Sequence, residues 1–170
     1  IVITYNSAEH ILETLNSINN QSYNNIELII TDDCSSDKTI EICKQWLEYN
    51  FVKFKRTFLV QSGYNTGVPG NCNRGFNHST GEWVKIIAGD DLLVEDAIER
   101  FIEKGLSSSD VGLVYSRIVP FCTDNSDKLQ HLIKHYSSYF ESRQTSRFRN
   151  NQTKFLVEGN FIPGPAAMIK

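Results

Sequence analysis

Short apolar runs alternate with helix-like segments along the first two thirds of the chain. Runs typical of buried strands lie at residues 1–3, 26–31, 52–60, 83–88 and 111–115. Between them, apolar residues recur at helical spacing and predict helices near residues 6–18, 37–47, 71–78 and 95–104. This alternation predicts an α/β fold whose central sheet is mostly parallel and is flanked by helices.

The size and charge of the chain exclude several classes of protein. Its 170 residues are enough for one domain with a hydrophobic core. The net charge of −3 argues against a protein that coats nucleic acid, so we expect no nucleic-acid partner. No apolar run approaches the roughly 18 residues that span a bilayer. Scattered cysteines predict reduced thiols and a cytoplasmic location: Cys34, Cys43, Cys72 and Cys122.

The last third of the chain, beyond Pro120, shows a weaker alternation, and we interpret it as an insertion or lid. Its arginines could contact a diphosphate or an anionic acceptor, but a solvated face is the simpler interpretation for them and for the two histidines. These residues are His131, His135, Arg143, Arg147 and Arg149. The chain begins and ends inside apolar, strand-like runs, which indicates a piece of a longer protein.

Polar clusters follow three of the predicted strands. They are Thr4-Tyr5-Asn6, Asp32-Asp33 and Asp90-Asp91. In open α/β sheets, ligands bind outside the carboxyl ends of the strands. We therefore expect the three clusters to converge on one ligand-binding edge of the sheet.

The pair Asp90-Asp91 carries the sharpest signal for chemistry. It follows an apolar strand, and Gly89 before it permits a close backbone turn. Two adjacent carboxylates repel each other, and a hard divalent cation relieves that cost. Mg²⁺ or Mn²⁺ commonly takes one or two protein carboxylates together with substrate phosphate oxygens. The alternative is a pair that caps the helix predicted to follow.

Asp33 and Tyr5 are candidates for holding a nucleobase. A carboxylate at Asp33 could accept a hydrogen bond from a base N–H, and Tyr5 could stack on the same base; the alternatives are turn chemistry and a rim aromatic. The segment from Asn65 to Asn71 is glycine-rich but lacks the lysine and the spacing of a phosphate-binding loop. Triphosphatase and dinucleotide dehydrogenase activities are therefore disfavoured.

Taken in order, these motifs resemble glycosyltransferase family 2. The resemblance covers residues 1–115, through TYN, DDCSSDKT, NTGVPGNCNRGFNHSTGEW and GDD. It implies the GT-A fold and an inverting transfer of a sugar from a nucleoside-diphosphate sugar, most simply a UDP-sugar, to an acceptor hydroxyl. It also implies a single catalytic domain over residues 1–170, truncated at both ends, with a donor-binding part at 1–115 and the start of an acceptor-side part at 116–170.

The resemblance assigns roles to individual residues. Those expected to bind the donor are Thr4, Tyr5, Asn6, Asp33, Asn65, Gly67, Asn71 and Asp90. Asp33 matches the aspartate that hydrogen-bonds uracil or thymine, and the residues from Asn65 to Asn71 lie on the loop beside base and ribose. Asp90 contacts ribose or sugar and shares the metal site with Asp91, which binds Mg²⁺ or Mn²⁺ on the leaving diphosphate.

The chain departs from the family pattern at several positions. Cys34 replaces the usual glycine or asparagine, and Asn71-Cys72-Asn73 stands where many members have Ala-Arg-Asn, so a basic contact to the nucleotide is missing there. The family places its catalytic base after the strand that follows the acceptor loop. We therefore expect the base beyond Lys170, with Glu158 as a weak candidate.

The resemblance also bears on partners and on competing functions. Members of the family make polysaccharide, O-antigen and glycolipid, so the expected acceptor is a carbohydrate or glycolipid, and peripheral association at the inner face of the membrane is consistent with it. One alternative is a nucleotidyltransferase, but residues 4–7 offer no basic, glycine-rich loop. A second is a non-catalytic nucleotide-sugar-binding module, and a third is a response-regulator-like domain, for which no suitably placed lysine is found.

Overall fold

A computed structural model describes residues 1–119, 121, 131, 134 and 166–170. Within them lie seven strands and four α-helices. The strands are β1 (Val2–Thr4), β2 (Glu27–Asp32), β3 (Arg56–Gln61), β4 (Val84–Lys85), β5 (Ile87–Ala88), β6 (Leu113–Tyr115) and β7 (Ala167–Ile169). The helices are α1 (Ile11–Asn19), α2 (Thr39–Asn50), α3 (Gly67–His78) and α4 (Ala97–Gly105).

The larger sheet has the strand order β3-β2-β1-β5, and its three pairings are all parallel. In register, Thr4 lies beside Asp32, and Asp32 lies beside Gln61. Because β1 is flanked by β2 on one side and by β5 on the other, the strand order reverses at β1. The predicted α/β fold with a parallel central sheet flanked by helices is confirmed.

Helices cover both faces of this sheet, which explains why β2 reads as a nearly continuous apolar run. On one face, Leu28 and Ile30 pack with Ile11 and Leu15 of α1, in a core that also includes Cys43 and Trp46 of α2. On the other face, Thr31 donates its hydroxyl hydrogen to the backbone oxygen of Asn71 in α3. Successive residues of β2 thus face different helices, as the alternation of side chains along a strand requires.

The run predicted as one strand at residues 83–88 is divided between two sheets. β5 joins the parallel sheet, whereas β4 pairs antiparallel with β7 in a second sheet of order β4-β7-β6. Ile86 separates the two short strands. The local sequence of this run carries no signal for such a change of partner, which depends on the distant residues Ala167–Ile169.

The starts of β3 and α1 both lie later in the chain than the local sequence pattern predicts. The strand predicted at residues 52–60 begins only at Arg56, and Phe51–Lys53 instead forms a 3₁₀ turn in which Val52 is exposed. The helix predicted from residue 6 begins only at Ile11, without a side-chain cap. The Asn6 side chain instead accepts a hydrogen bond from the backbone N–H of Ser36, 2.8 Å away.

The chain divides into two compact units, Ile1–Val114 with Ala167–Lys170 and Tyr115–Ala166. Among the described residues, no helix is both long and apolar enough to cross a membrane. Several predicted features lie outside the described residues, namely Cys122, His135, the three arginines between residues 143 and 149, and the candidate base Glu158.

Candidate functional site

The ends of β2, β1 and β5 bring the three polar clusters to one edge of the parallel sheet. The Asp33 N–H donates to the Thr4 oxygen at 3.0 Å, and the Gly89 N–H donates to the Ile3 oxygen at 3.0 Å. Because neighbouring strands lie ~4.8 Å apart, the segments that begin at Tyr5, Asp33 and Gly89 leave the sheet within about 10 Å of one another. This is also the point at which the strand order reverses, where open α/β sheets bind ligands.

Thr4 and Asp32 form the buried floor of this edge. Both are almost fully buried, and the Thr4 hydroxyl donates to Asp32 Oδ2 at 2.8 Å. Asp32 also accepts hydrogen bonds from the backbone N–H of Ser35, at 2.8 Å, and from the Ser35 hydroxyl. Asp32 therefore fixes the loop after β2, whereas the sequence alone gives Asp32 and Asp33 the same expected place at the ligand-binding edge.

Asn6 ties the loop after β1 to the loop after β2. Its backbone N–H donates to Ser35 Oγ at 2.8 Å, and its side-chain oxygen holds Ser36, as described above. Its φ of 50° lies in the left-handed region, which asparagine tolerates better than most residues. Tyr5, beside it, is 51% exposed and available for stacking.

Cys34 occupies a strained position between the two acidic residues and Ser35. Its φ is 69°, a left-handed value that glycine and asparagine adopt at lower cost. The departure from the family pattern noted at this position is therefore a real backbone strain, of order 1–2 kcal/mol. The loop hydrogen bonds of Asp32 and Asn6 hold it in place.

Asp33 lies at the centre of a polar network and is only 2% exposed. Its Oδ2 accepts a hydrogen bond from the Thr66 N–H at 2.9 Å, and its Oδ1 accepts one from the Thr66 hydroxyl at 2.6 Å. Arg74 Nη2 lies 3.3 Å from Oδ1. Burial raises the pKa of Asp33, but the hydrogen bonds from Thr66 and Arg74 outweigh it and hold that pKa below its ordinary value.

Arg74 and Asn71 complete this network from α3. Arg74 Nη1 donates to Asn71 Oδ1 at 2.8 Å, and Asn71 Nδ2 donates to the Thr4 oxygen at 3.1 Å. The resemblance placed Asn71 on the loop beside base and ribose, whereas the helical pattern placed it in the helix predicted near residues 71–78. The structure has it in that helix, buried, with its amide satisfied by the protein. Arg74 was missed, although it directly follows the triplet 71–73 in which a basic residue seemed to be lacking.

Asn65 and Gly67 form the entry to α3. Asn65 is exposed, and its side-chain oxygen accepts a hydrogen bond from the Gly67 N–H at 2.9 Å. Gly67 has a φ of 74° and is the first residue of the helix, so the chain needs a glycine here. Both residues therefore stand at the rim of the edge that carries Asp33.

Asp90 and Asp91 follow Gly89 at the end of β5. A Cβ at Gly89 would lie 3.0 Å from Thr4 Cγ2 and 3.0 Å from Ser7 Oγ, so the two loops approach closely here. Asp90 is exposed and Asp91 is half-buried. Burial and the neighbouring Asp90 charge raise the pKa of Asp91, despite the opposing effects of a hydrogen bond to Ala88 and of the Lys85 charge.

The two carboxylates fit a divalent cation that is also bound by substrate. No group of three or more His, Cys, Asp or Glu side chains placed for a metal exists among the described residues. Two carboxylates with repelling charges are nevertheless the donor set that Mg²⁺ and Mn²⁺ share with phosphate oxygens. The pKa of Asp91 is raised first by burial and second by the Asp90 charge, and a bound cation would offset both costs.

Lys85 acts electrostatically on Asp91 and was not singled out from the sequence. It is 8% exposed, and its Nζ donates to the backbone oxygens of Ile86 and Ala167, each at 3.2 Å. Burial lowers the pKa of Lys85 to about 8, and the Asp91 charge opposes that shift. The ammonium thus joins Ile86, at the break between β4 and β5, to Ala167 in β7.

Known proteins that are similar to this chain are glycosyltransferases. The family model described as Glycosyl transferase family 2 matches residues 1–170. A protein of Campylobacter jejuni named GalNAc(5)-diNAcBac-PP-undecaprenol beta-1,3-glucosyltransferase is 31% identical over 104 residues, which are 61% of this chain and 33% of that protein. The chain spans 14% to 39% of the lengths of such curated relatives.

Solved structures show the same similarity. The mannosyltransferase PcManGT from Pyrobaculum calidifontis, in complex with GDP-Man and Mn²⁺, superposes with a TM-score of 0.61 at 30% identity, over 67% of this chain and 33% of that one. TarS of S. aureus, in complex with UDP-GlcNAc, superposes with a TM-score of 0.55 at 27% identity, over 74% of this chain and 37% of that one.

Proposed function

The chain belongs to glycosyltransferase family 2, and from this premise we propose that it binds a nucleoside-diphosphate sugar for an inverting transfer to an acceptor hydroxyl. The observation that carries the proposal is the convergence of Tyr5, Asp33 and Asp90-Asp91 on one edge of the parallel sheet. Residues 1–115 form the donor-binding part of this proposal, and residues 116–170 form the start of the acceptor-side part.

The donor nucleoside lies across the ends of β1 and β2 in this proposal. Tyr5 offers an exposed ring for stacking on the base, and Asp33 offers a carboxylate to a base N–H. Thr4, Asn6 and Asn71 shape the pocket from within, because their side chains are engaged in the hydrogen bonds that hold the loops together. Asn65 and Gly67 form the rim beside base and ribose.

The diphosphate and sugar extend toward the end of β5. Asp91 and Asp90 would hold a Mg²⁺ or Mn²⁺ ion, which supplies Lewis-acid stabilisation for the charge on the departing nucleoside diphosphate. Asp90 also orients the ribose or the sugar. The GDP-Man and Mn²⁺ bound in the mannosyltransferase structure support a metal of this kind, and the UDP-GlcNAc bound in TarS supports a UDP-sugar.

The chemical step needs a base that deprotonates the acceptor hydroxyl, which then attacks the anomeric carbon in line with the leaving diphosphate. We assign this base to a residue that follows β7, beyond Lys170, with Glu158 as the weaker candidate. The Ala167–Ile169 strand belongs to the same compact unit as the donor-binding edge, which supports a base that follows it.

The acceptor is a carbohydrate or glycolipid in this proposal. The name of the Campylobacter relative describes a lipid-linked glycan acceptor, which supports a role in polysaccharide, O-antigen or glycolipid synthesis. Such an acceptor would place the protein in the cytoplasm, in peripheral contact with the inner face of the membrane. A non-catalytic nucleotide-sugar-binding module is the alternative, and it would share the same donor edge.

Isothermal titration with UDP in the presence of Mn²⁺ tests the donor site. We expect binding that is lost in Asp91→Ala, because that substitution removes the half-buried carboxylate assigned to the metal. Glu103→Ala is the matched control, since it removes an exposed carboxylate from α4 and should leave binding unchanged. If wild type binds UDP equally well with a chelator present, the metal has no part in donor binding. If Asp91→Ala binds UDP as tightly as wild type, Asp91 does not hold the metal.

A further inference from the structure

The Asp33 carboxylate, which the proposed function assigns to the nucleobase, is buried and already accepts three hydrogen bonds from the protein. An ionised carboxylate offers about four positions to donors. Thr66 fills one on each oxygen, and Arg74 Nη2 fills a second on Oδ1. The group is only 2% exposed, so a base N–H can reach it only where one of these donors gives way.

Among these donors, the Thr66 hydroxyl is the one that can leave at least cost. The Thr66 N–H is fixed by the backbone at the start of α3. Arg74 is held by its bond to Asn71 Oδ1, and it also donates to Thr66 Oγ1 at 3.0 Å. The hydroxyl hydrogen, by contrast, needs only a rotation about one bond to turn away from Asp33.

The Thr66 side chain is held over Asp33 by its packing against α3. A Cβ at Gly70 would lie 2.5 Å from Thr66 Oγ1 and 2.6 Å from Thr66 Cβ, so Gly70 makes room for this arrangement. The helix therefore keeps the hydroxyl at the carboxylate, 2.6 Å from Asp33 Oδ1.

We propose that Thr66 is a specificity-determining residue whose hydroxyl competes with the ring N–H of the donor nucleobase for Asp33. The inference rests on the proposed function, because it assumes that Asp33 receives the base. Binding then requires the hydroxyl to give up its bond to Asp33. Bases that present a ring N–H, such as uracil, thymine and guanine, replace the lost hydrogen bond to Asp33 with one of their own. Bases without a ring N–H cannot replace it.

The chain contains a matched control at the opposite end of β2. There Thr80 donates its N–H to Glu27 Oε2 at 2.9 Å and its hydroxyl to Glu27 Oε1, and Arg56 lies 3.4 Å from Glu27 Oε1. This trio repeats the threonine, carboxylate and arginine arrangement of Thr66, Asp33 and Arg74. Thr80→Ala therefore removes an equivalent hydroxyl from a carboxylate that has no part in the proposed donor site.

The test is titration calorimetry of Thr66→Ala with UDP and with GDP. Each nucleotide is compared with its analogue methylated at the ring nitrogen that would donate to Asp33. Thr66→Ala should bind the preferred nucleotide roughly 12- to 160-fold more tightly than wild type, the range that one hydrogen bond to a charged group corresponds to. Its affinity for the methylated analogue should not rise. Thr80→Ala should bind as wild type does.

Two results would overturn the inference while leaving the donor site intact. One is unchanged or weaker nucleotide binding by Thr66→Ala, and the other is an equal gain for the methylated analogue. Failure of wild type to bind either nucleotide would instead contradict the proposed function. If thermal melting shows that Thr66→Ala is unfolded, Thr66→Val, which keeps the branched side chain, is measured in its place with the same expectation.

Discussion

Replacement of Gly70 by alanine should destabilise the protein, although alanine is normally the better helix residue. In an open helix interior the change would stabilise by about 1 kcal/mol. Here the new Cβ would lie 2.6 Å from Thr66 Cβ, a contact that no side-chain rotation relieves, so the backbone must move. Such overpacking costs about 1–3 kcal/mol.

The movement also breaks the hydrogen bond from the Thr66 hydroxyl to Asp33, which is 2.6 Å long in the native protein. A bond to a charged group contributes about 1.5–3 kcal/mol. We therefore expect the free energy of unfolding to fall by about 2 to 5 kcal/mol. For a chain of this size, that corresponds to a melting temperature lower by about 4 to 20 °C.

Thermal and urea unfolding followed by circular dichroism measure this loss. Gly63→Ala is the matched control, because a Cβ there would meet nothing within 4 Å, and its stability should be at or above that of wild type. A Gly70→Ala protein as stable as wild type would refute the argument. It would mean that Thr66 is not held over Asp33 by α3.

Two further predictions concern the pH dependence of stability. Because the pKa of Asp33 is lowered in the folded protein, its contribution is present above its unfolded pKa of about 3.9 and is lost as pH falls through the folded value. Asp33→Asn should therefore lose less stability than wild type on acidification, as measured by urea unfolding below pH ~4; an unchanged acid slope would contradict this. Burial lowers the pKa of Lys85 to about 8, so wild-type stability should rise between that pH and about 10.4, as the folded protein gives up a proton that the unfolded chain still holds. Lys85→Met should lack this rise, and a rise of equal size in the variant would assign it to another group.

The parallel sheet and its polar edge could be predicted from sequence because both depend on local, periodic patterns. Apolar runs mark the strands, and the residues that directly follow a run, such as Tyr5 and Asp90, are placed by the strand itself. Convergence of these ends follows from the parallel arrangement alone. No long-range contact had to be known to reach it.

The start of α3 could not be predicted in the same way. Its first four residues, Gly67 to Gly70, include two glycines and Pro69, which are typical of a loop. Proline is tolerated in a first helical turn, where its missing N–H would have no partner. The helix begins there because Asp33, more than thirty residues earlier, accepts hydrogen bonds at its entry.

The different roles of the adjacent residues Asp32 and Asp33 could not be predicted from the sequence either. Asp32 is the last residue of β2 and Asp33 is the first after it, yet Asp32 fixes its own loop and Asp33 binds Thr66 and Arg74. Arg74 was overlooked because its distance of 41 residues from Asp33 gives no local signal. Such pairs become apparent only when the helix is docked on the sheet.

A structure of the protein with UDP and Mn²⁺, with the metal located by its anomalous scattering, tests the central claim most directly. The account predicts Mn²⁺ at Asp91, with the diphosphate on the metal and the base between Tyr5 and Asp33. Nucleotide and metal bound at the amino ends of the strands, or a base distant from both Tyr5 and Asp33, would contradict it.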